Sequence, residues 1–270
     1  MPGRHVPGWF PLVADPLSRL IGRQETFEIE IFGSRMLLDA RDYTQRKILY
    51  RCFEPHEARL VARSLREGDT VLDIGANVGF FTLIAAQAVG PAGRVVAFEP
   101  IESNAAALRR NLALNGFDWV DVRVEAVADA PGEVRLGLPV GATSVDGVSG
   151  WWTRGGTVET SVVAQTAIDE VLGSDPAAFV KVDVEGMEDA VLAGAERAIR
   201  EQRIGRLLIE VAPALIRRRG GTAAGLLAPL ADAGYRLRRV DAIGRLRDVG
   251  VSPRLPRRVH SVLATTPSNG

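Results

Sequence analysis

From Thr70 onward, short β-branched apolar runs alternate with longer stretches whose apolar residues recur at helical spacing. That rhythm predicts repeated βαβ units around a parallel sheet, an α/β fold. The runs predict strands at Thr70–Ile74, Arg94–Phe98, Val120–Val127, Phe179–Val184, Gly205–Val211, Tyr235–Val240 and Val259–Ala264. Helices are expected over Phe80–Val89, Ser103–Asn115, Thr166–Leu172, Met187–Arg200 and Thr222–Ala233. Right-handed crossovers put a ligand at the carboxyl ends of the strands, where the strand order reverses.

Upstream, the runs Thr26–Phe32 and Arg35–Ala40 flank Gly33-Ser34, a hairpin signal. Pro55–Leu65 reads as a helix with proline in its first turn. The expected organisation is an N-terminal extension with a small β-hairpin appendage over residues 1–53, followed by one domain over 54–270. Residues 128–159 break the alternation with Gly, Pro, Ser and the pair Trp151-Trp152, so this excursion is the candidate lid and acceptor loop.

Composition narrows the classes. With 270 residues, 46% hydrophobic and 24% charged, the chain is an ordinary globular protein and not a disordered one. Its zero net charge leaves no global field for nucleic acid or an anionic membrane, so neither is expected as a partner. Only Lys47 and Lys181 are lysines among 33 basic residues, a skew usual in GC-rich bacterial genomes. The lone Cys52 excludes an intrachain disulfide framework and a multi-cysteine metal site. Val6–Ala14, interrupted by Pro7, Gly8 and Pro11, makes a poor signal-peptide core, so a cytoplasmic location is expected. The charge-free window from Ile74 to Gly93 holds Asn77, Gln87, Pro91 and four glycines, which suits a loop and a buried helix rather than a membrane span.

The chemistry begins at the first βα turn, Val71-Leu-Asp-Ile-Gly-Ala-Asn-Val-Gly-Phe80. Gly75 and Gly79 let the backbone approach a ligand closely. The dinucleotide fingerprint needs glycines where this chain has Gly75, Asn77 and Phe80, and two of the three are wrong. Glu99 ends the next strand, where an acid accepts hydrogen bonds from ribose hydroxyls. Asp73 would repel a pyrophosphate but attract a sulfonium or α-amino group, which favours S-adenosylmethionine over a nicotinamide cofactor.

Asp73-Ile-Gly-Ala-Asn-Val-Gly-Phe-Phe-Thr82, Val96-Ala-Phe-Glu-Pro100, Asn111-Leu-Ala-Leu-Asn115 and Val180-Lys-Val-Asp-Val-Glu-Gly-Met-Glu188 resemble the successive motifs of the FkbM family of class I methyltransferases, over about residues 54–211. The resemblance implies a Rossmann-like, doubly wound, seven-stranded and mostly parallel sheet with its last strand pair antiparallel. It also implies S-adenosylmethionine as donor, S-adenosylhomocysteine as product, and O-methylation of a hydroxyl on a small or medium natural product or sugar. Carried over by position, the implied donor site comprises Asp73, Gly75, Ala76, Asn77 and Gly79 around the methionine moiety, Glu99 with Pro100 at the ribose, and Val127 near the adenine. Glu54-Pro55 resembles the family's entry segment, closing over the donor.

Lys181, Asp183 and Glu185 alternate with Val180, Val182 and Val184, which puts three charges on one face of an expected interior strand. Such a strand normally reads apolar on both faces, and buried ionisable groups are costly unless they pair or line a pocket. Asp183 and Glu185 would reach the acceptor, with Lys181 deeper and neutralising a carboxylate. Methyl transfer needs the acceptor hydroxyl held opposite the sulfur and relieved of its proton, so Asp183 is the first choice for base. A purely structural ion-pair network is the competing reading.

Glu210 ends the following strand, beside Asp183 if the two strands are neighbours. Two or three such carboxylates are the ligand type of Mg²⁺, but no histidine or Asp-rich cluster reinforces a metal site, and none is assigned. His56 reads as an exposed first-turn residue, and Arg217-Arg218-Arg219 as a solvated helix end. The rival readings are an NAD(P)-dependent Rossmann oxidoreductase, which Asn77, Phe80 and Asp73 oppose, and a catalytically silent binding protein on the same fold.

Overall fold

In a computed structural model that describes residues 25–139, 158–249 and 260–269, strand alternation sorts the apolar side chains onto two faces. Leu72, Ile74, Val96, Phe98, Val180 and Val182 fill one core, and Val71, Val95, Ala97 and Phe179 fill the other. Burial on both faces is what near-continuous Val/Ile/Leu strands require.

The chain opens with β1 (Thr26–Ile31), β2 (Ser34–Asp39), α1 (Tyr43–Leu49) and α2 (Pro55–Ser64). The first βαβ units follow as β3 (Thr70–Ile74), α3 (Phe80–Val89), β4 (Arg94–Phe98), α4 (Glu102–Ala113) and β5 (Val120–Arg123). Next come β6 (Glu125–Val127), β7 (Gly132–Pro139), β8 (Val158–Thr166), α5 (Ile168–Leu172) and β9 (Ala177–Val182). The remainder is α6 (Glu188–Ala193), α7 (Glu196–Arg200), β10 (Ile204–Val211), α8 (Pro213–Arg218), α9 (Ala223–Asp232), β11 (Arg236–Val240), β12 (Leu246–Asp248) and β13 (His260–Thr265).

The main sheet has the order β12-β11-β13-β10-β9-β3-β4-β5. Pairs from β10 to β5 are parallel, whereas β13 runs antiparallel between β10 and β11. The chain winds outward from β3 through β4 to β5, then restarts on its other side with β9 and β10. The order therefore reverses at β3 and β9, and the crevice opens past their carboxyl ends. Among the described residues no helix is long and apolar enough to cross a membrane.

Several expectations are corrected. The main sheet has eight strands rather than seven, because the three-residue edge strand β12, with Leu246 as its only apolar residue, is too short to show a pattern. The hairpin forms with Phe32 (φ 50) and Gly33 (φ 80) as its turn, but it is docked into the core: Met36 and Leu38 are fully buried, and the Leu37 amide donates to Asn111 Oδ1 at 2.9 Å. The run Val120–Val127 divides into β5 and β6. The Glu99 amide donates to the Arg123 carbonyl, and Pro100, lacking an N–H, cannot extend β4 as a neighbour.

Flanks of the expected lid are strands: β7 and β8 pair antiparallel, and β6 joins β8 in a three-stranded sheet. Trp151 and Trp152 lie outside the described residues. The helix expected over Met187–Arg200 breaks in two at Gly194, where a Cβ would stand 1.9 Å from the Ala128 carbonyl oxygen. Strand β9 stops at Val182, so Asp183 and Glu185 occupy the turn beyond it rather than one strand face. Helix α1 had no expectation, whereas α8 ends at Arg217-Arg218-Arg219, the expected helix end. His56 is half-buried under the β11–β12 turn, close against Gly244.

Candidate active site

The β3–α3 loop turns through three left-handed residues, Gly75 (φ 83), Asn77 (φ 50) and Gly79 (φ 96). Asparagine is among the few side chains that tolerate this region, and its Oδ1 accepts from the next amide, that of Val78, at 2.7 Å. Glycine is obligatory at position 75, since a Cβ there would lie 1.9 Å from the Asp183 carbonyl oxygen. The Asp183 amide in turn donates to the Ile74 carbonyl at 3.0 Å. The exits of β3 and β9 are thus pressed together at the switch point.

At the tip of β4, Glu99 is 4% exposed. Its Oε2 accepts from the Asn77 amide at 2.8 Å, and its Oε1 from the Ile101 amide at 2.9 Å and Asn104 Nδ2 at 3.4 Å. Burial pushes its pKa up to about 7, against the pull of those amides.

A cavity of about 180 Å³ opens between these elements, far more than the roughly 10–15 Å³ one water needs, so it is sized for an organic ligand. Of the residues expected from sequence, Gly75, Ala76, Asn77, Glu99, Pro100, Val127, Lys181, Asp183 and Glu185 all line it. Asp73, Gly79, Glu54 and Glu210 are not in the wall.

Asp73 lies behind it, 2% exposed, with Oδ2 accepting from the Thr82 hydroxyl at 2.6 Å. Gly79 serves packing: a Cβ would lie 2.3 Å from Leu108 Cδ1. Glu54 precedes α2 in a left-handed conformation (φ 36). Burial, with the Asp183 and Glu57 charges, raises its pKa against the pull of Lys181 and Lys47. Glu210, on β10, is raised by burial and by the neighbouring carboxylates of Asp183, Glu54, Glu185 and Glu188.

Lys181 is the cation among these acids. Its Nζ lies 2.9 Å from Asp183 Oδ2 and 4.5 Å from the centroid of the Phe81 ring. Burial disfavours its charge, but Asp183, Glu54 and Asp73 together outweigh that and raise its pKa, so it stays protonated across the neutral range. Among the described residues no group of three or more His, Cys, Asp or Glu side chains could hold a metal ion.

Two parts of the wall went unread in the sequence. Thr44 and Ile48 of α1, with Phe53, close one side, and the Phe53 ring packs edge-on against Phe80 at 5.4 Å. A signal was there: Asp42 three residues before Gln45 is a capping arrangement, and Asp42 Oδ1 accepts from the Gln45 amide at 2.8 Å. Val134, Leu136 and Gln165 of the small sheet close another side, and their pairing depends on contacts across sequence that no local pattern reveals.

The family model described as the methyltransferase FkbM domain matches residues 73–237, which contain the loop, the β4 acid and the β9 exit. The chain belongs to the FkbM methyltransferase family. It is 32% identical over 179 residues to 31-O-demethyl-FK506 methyltransferase FkbM of Streptomyces tacrolimicus, covering 55% of this chain and 65% of that protein. It is 36% identical over 72 residues to protein-L-isoaspartate O-methyltransferase 2 of Archaeoglobus fulgidus, covering 26% of this chain and 33% of that one. The FkbM-family chain thus spans less than two thirds of the length of these curated relatives. Among solved structures, it is similar to a SAM-dependent O-methyltransferase from Thermotoga maritima, at 16% identity and TM-score 0.47, covering 93% of this chain and 81% of that one. It is also similar to a putative rRNA methylase from Clostridium thermocellum, at 15% identity and TM-score 0.48, covering 80% and 96%.

Proposed function

We propose that the chain is a methyltransferase that uses S-adenosylmethionine and releases S-adenosylhomocysteine, and that its acceptor is a hydroxyl on a small or medium natural product or sugar. The observation that carries the donor reading is Glu99, a buried carboxylate at a strand tip, facing a cavity whose wall continues through Gly75, Ala76 and Asn77. A ribose offers two adjacent hydroxyls, and a carboxylate has the lone pairs to accept both.

The residues present fit such a donor. Val127, Ile101 and Phe98 give apolar surface for a base, and the opening amides of α3, which have no intrahelical acceptor, suit a carboxylate. Glu54, Asp73, Gly79 and Pro100 complete the proposed donor set. Asp73 and Gly79 act from behind the wall by fixing α3, and Glu54 acts from beside Lys181. When bound, the donor supplies a methyl group made electrophilic by its sulfonium charge.

What remains for the protein is to orient a hydroxyl and take its proton. Asp183 is the proposed base. Lys181 holds Oδ2, which fixes the carboxylate and leaves Oδ1 to receive the proton, an arrangement worth on the order of 10²–10⁴ in rate. Glu185, in the wall, and Glu210, next to Asp183, are proposed to orient the acceptor's hydroxyls. Support for oxygen as the acceptor atom comes from the Streptomyces relative, whose name specifies an O-demethyl substrate. No divalent metal is assigned a role.

Titration calorimetry with S-adenosylhomocysteine and with NADH tests the donor. Binding of the former alone is expected, and binding of NADH alone overturns the reading. Incubating extracts with enzyme and isotopically labelled donor, then reading products by mass spectrometry, tests the acceptor. Label appearing in RNA rather than in a small molecule would reassign it.

A further inference from the structure

The exit from β9 is a tight, strained turn. Residues 183–187 carry the chain to α6, with Glu185 (φ 52) and Gly186 (φ 100) both left-handed. A non-glycine residue in that region costs about 1–2 kcal/mol, so the surroundings must hold it there. Four residues of this turn, Asp183, Val184, Glu185 and Met187, line the cavity.

The restraint is Glu188, the first residue of α6. It is 1% exposed, and its Oε1 accepts from the Gly186 amide at 3.0 Å. Burial raises its pKa, opposed by amides of the turn and its flank, those of Gly186, Glu188 itself and Val184. Its Oε2 has no hydrogen-bond partner among the described residues. A buried carboxyl is expensive, and the neighbouring Val191 and Leu192 belong to an apolar core that has no use for one. The turn is what the carboxyl serves.

We propose that Glu188 is a positioning residue that clamps the 183–187 turn and thereby fixes the Asp183 carboxylate against Lys181. The catalytic meaning of the clamp rests on the proposed roles of Asp183 and Lys181; the clamp itself rests on geometry. Reach, not charge, is the operative property. Glutamine keeps both the length and an acceptor oxygen, whereas aspartate falls short by one carbon–carbon bond, about 1.5 Å.

The chain supplies its own probe, because Lys47 and Lys181 are its only lysines. Protein labelled with ¹³C-lysine gives two ε-methylene signals, assigned with a Lys47→Arg variant. The Lys181 ammonium lies 4.5 Å from the Phe81 ring centroid, so its signal is expected to carry a ring-current shift. Glu188→Asp is expected to move that signal toward the free-lysine position and to speed hydrogen exchange at the Gly186 amide. Glu188→Gln is expected to leave both in place. An unmoved Lys181 signal in folded Glu188→Asp overturns the clamp, as does an equal movement in both variants. If Glu188→Asp does not fold, Glu188→Gln decides alone, and a displaced Lys181 signal there overturns it. Titration of the unmodified protein with S-adenosylhomocysteine tests the donor separately: no binding sinks that reading while the lysine spectrum still decides the clamp.

Discussion

The amide of Asn77 donates to Oε2 of Glu99 at 2.8 Å, tying the left-handed loop after β3 to the tip of β4. The other oxygen of the same carboxylate accepts from the Ile101 amide. One buried acid therefore fastens two walls of the cavity before any ligand arrives, and its ionisation governs how ready that end of the site is.

A pH dependence follows, with a definite sign. Burial raises the Glu99 pKa to about 7, and in the proposed donor complex ribose hydroxyls would donate to the ionised form. Affinity for S-adenosylhomocysteine should therefore rise as pH increases through 7, and weaken on acidification by at most about tenfold per pH unit, the limit for one proton. In the free protein the sign is opposite. The carboxyl's contribution to stability is full below its ordinary value of 4.5 and is lost as pH rises through about 7. Glu99→Gln should flatten both profiles and weaken binding by roughly 1.5–3 kcal/mol. Calorimetry at pH 6 and pH 8, with melting curves across the same range, decides it; a steep profile surviving in the variant would assign the proton elsewhere.

Two glycines with similar φ should respond very differently to alanine. Gly75 (φ 83) has the Asp183 carbonyl oxygen 1.9 Å from a built Cβ, while Gly116 (φ 66) has nothing within 4 Å. Gly116→Ala pays only the left-handed conformation, about 1–2 kcal/mol. Gly75→Ala adds a backbone collision with no flexible side chain to yield, and should cost more than about 4 kcal/mol, among the exceptional single-residue effects. Urea denaturation of both variants measures the gap. Equal losses would mean that the β3 and β9 exits are not in contact.

The same contrast shows why only part of the site was legible. The glycines, Glu99 and the charges at 181–185 announce themselves because each breaks a local rule: a turn needing φ above zero, an acid at a strand tip, ionisable residues beside an interior strand. The central strands β3, β4, β9 and β10 were readable for the converse reason, their largely apolar runs in the middle of the sheet. What hid was nonlocal. Nothing near Val124 in sequence says that β6 leaves the sheet to pair with β8, and Gly194 looks like an ordinary helix glycine until the Ala128 carbonyl arrives beside it. The end of β9 was misjudged because Val184 extends the apolar alternation although its backbone has already left β9 for the turn.

The cap of α1 should matter beyond its own helix. Asp42 is 1% exposed and accepts from the Gln45 amide, and α1 supplies Thr44 and Ile48 to the cavity wall. Asp42→Ala should cost about 1 kcal/mol of stability, the usual value of a lost N-cap. Because the frayed turn contains Thr44, affinity for S-adenosylhomocysteine should fall as well. Melting and calorimetry on the same sample check both. A stability loss with unchanged affinity would detach α1 from the donor site.

The Lys181–Asp183 pair should behave as one unit, and its thermodynamics separate the base reading from the merely structural one. The side chains are 7% and 18% exposed, so solvent screens their attraction poorly. Lys181→Met leaves Asp183, Asp73 and Glu54 without their shared cation and should cost roughly 3–5 kcal/mol, the range for breaking a buried pair from one side. Adding Asp183→Asn removes one of the stranded charges, so the double variant should be more stable than the Lys181→Met single. Strict additivity of the two losses in urea denaturation would show that the pair is not coupled. Activity supplies the second axis. Once an acceptor is known, Asp183→Asn should keep S-adenosylhomocysteine affinity while kcat falls on the order of 10²–10⁴, as expected for a lost proton acceptor. A network that only braces the fold predicts the reverse, lost stability with turnover intact in whatever protein remains folded.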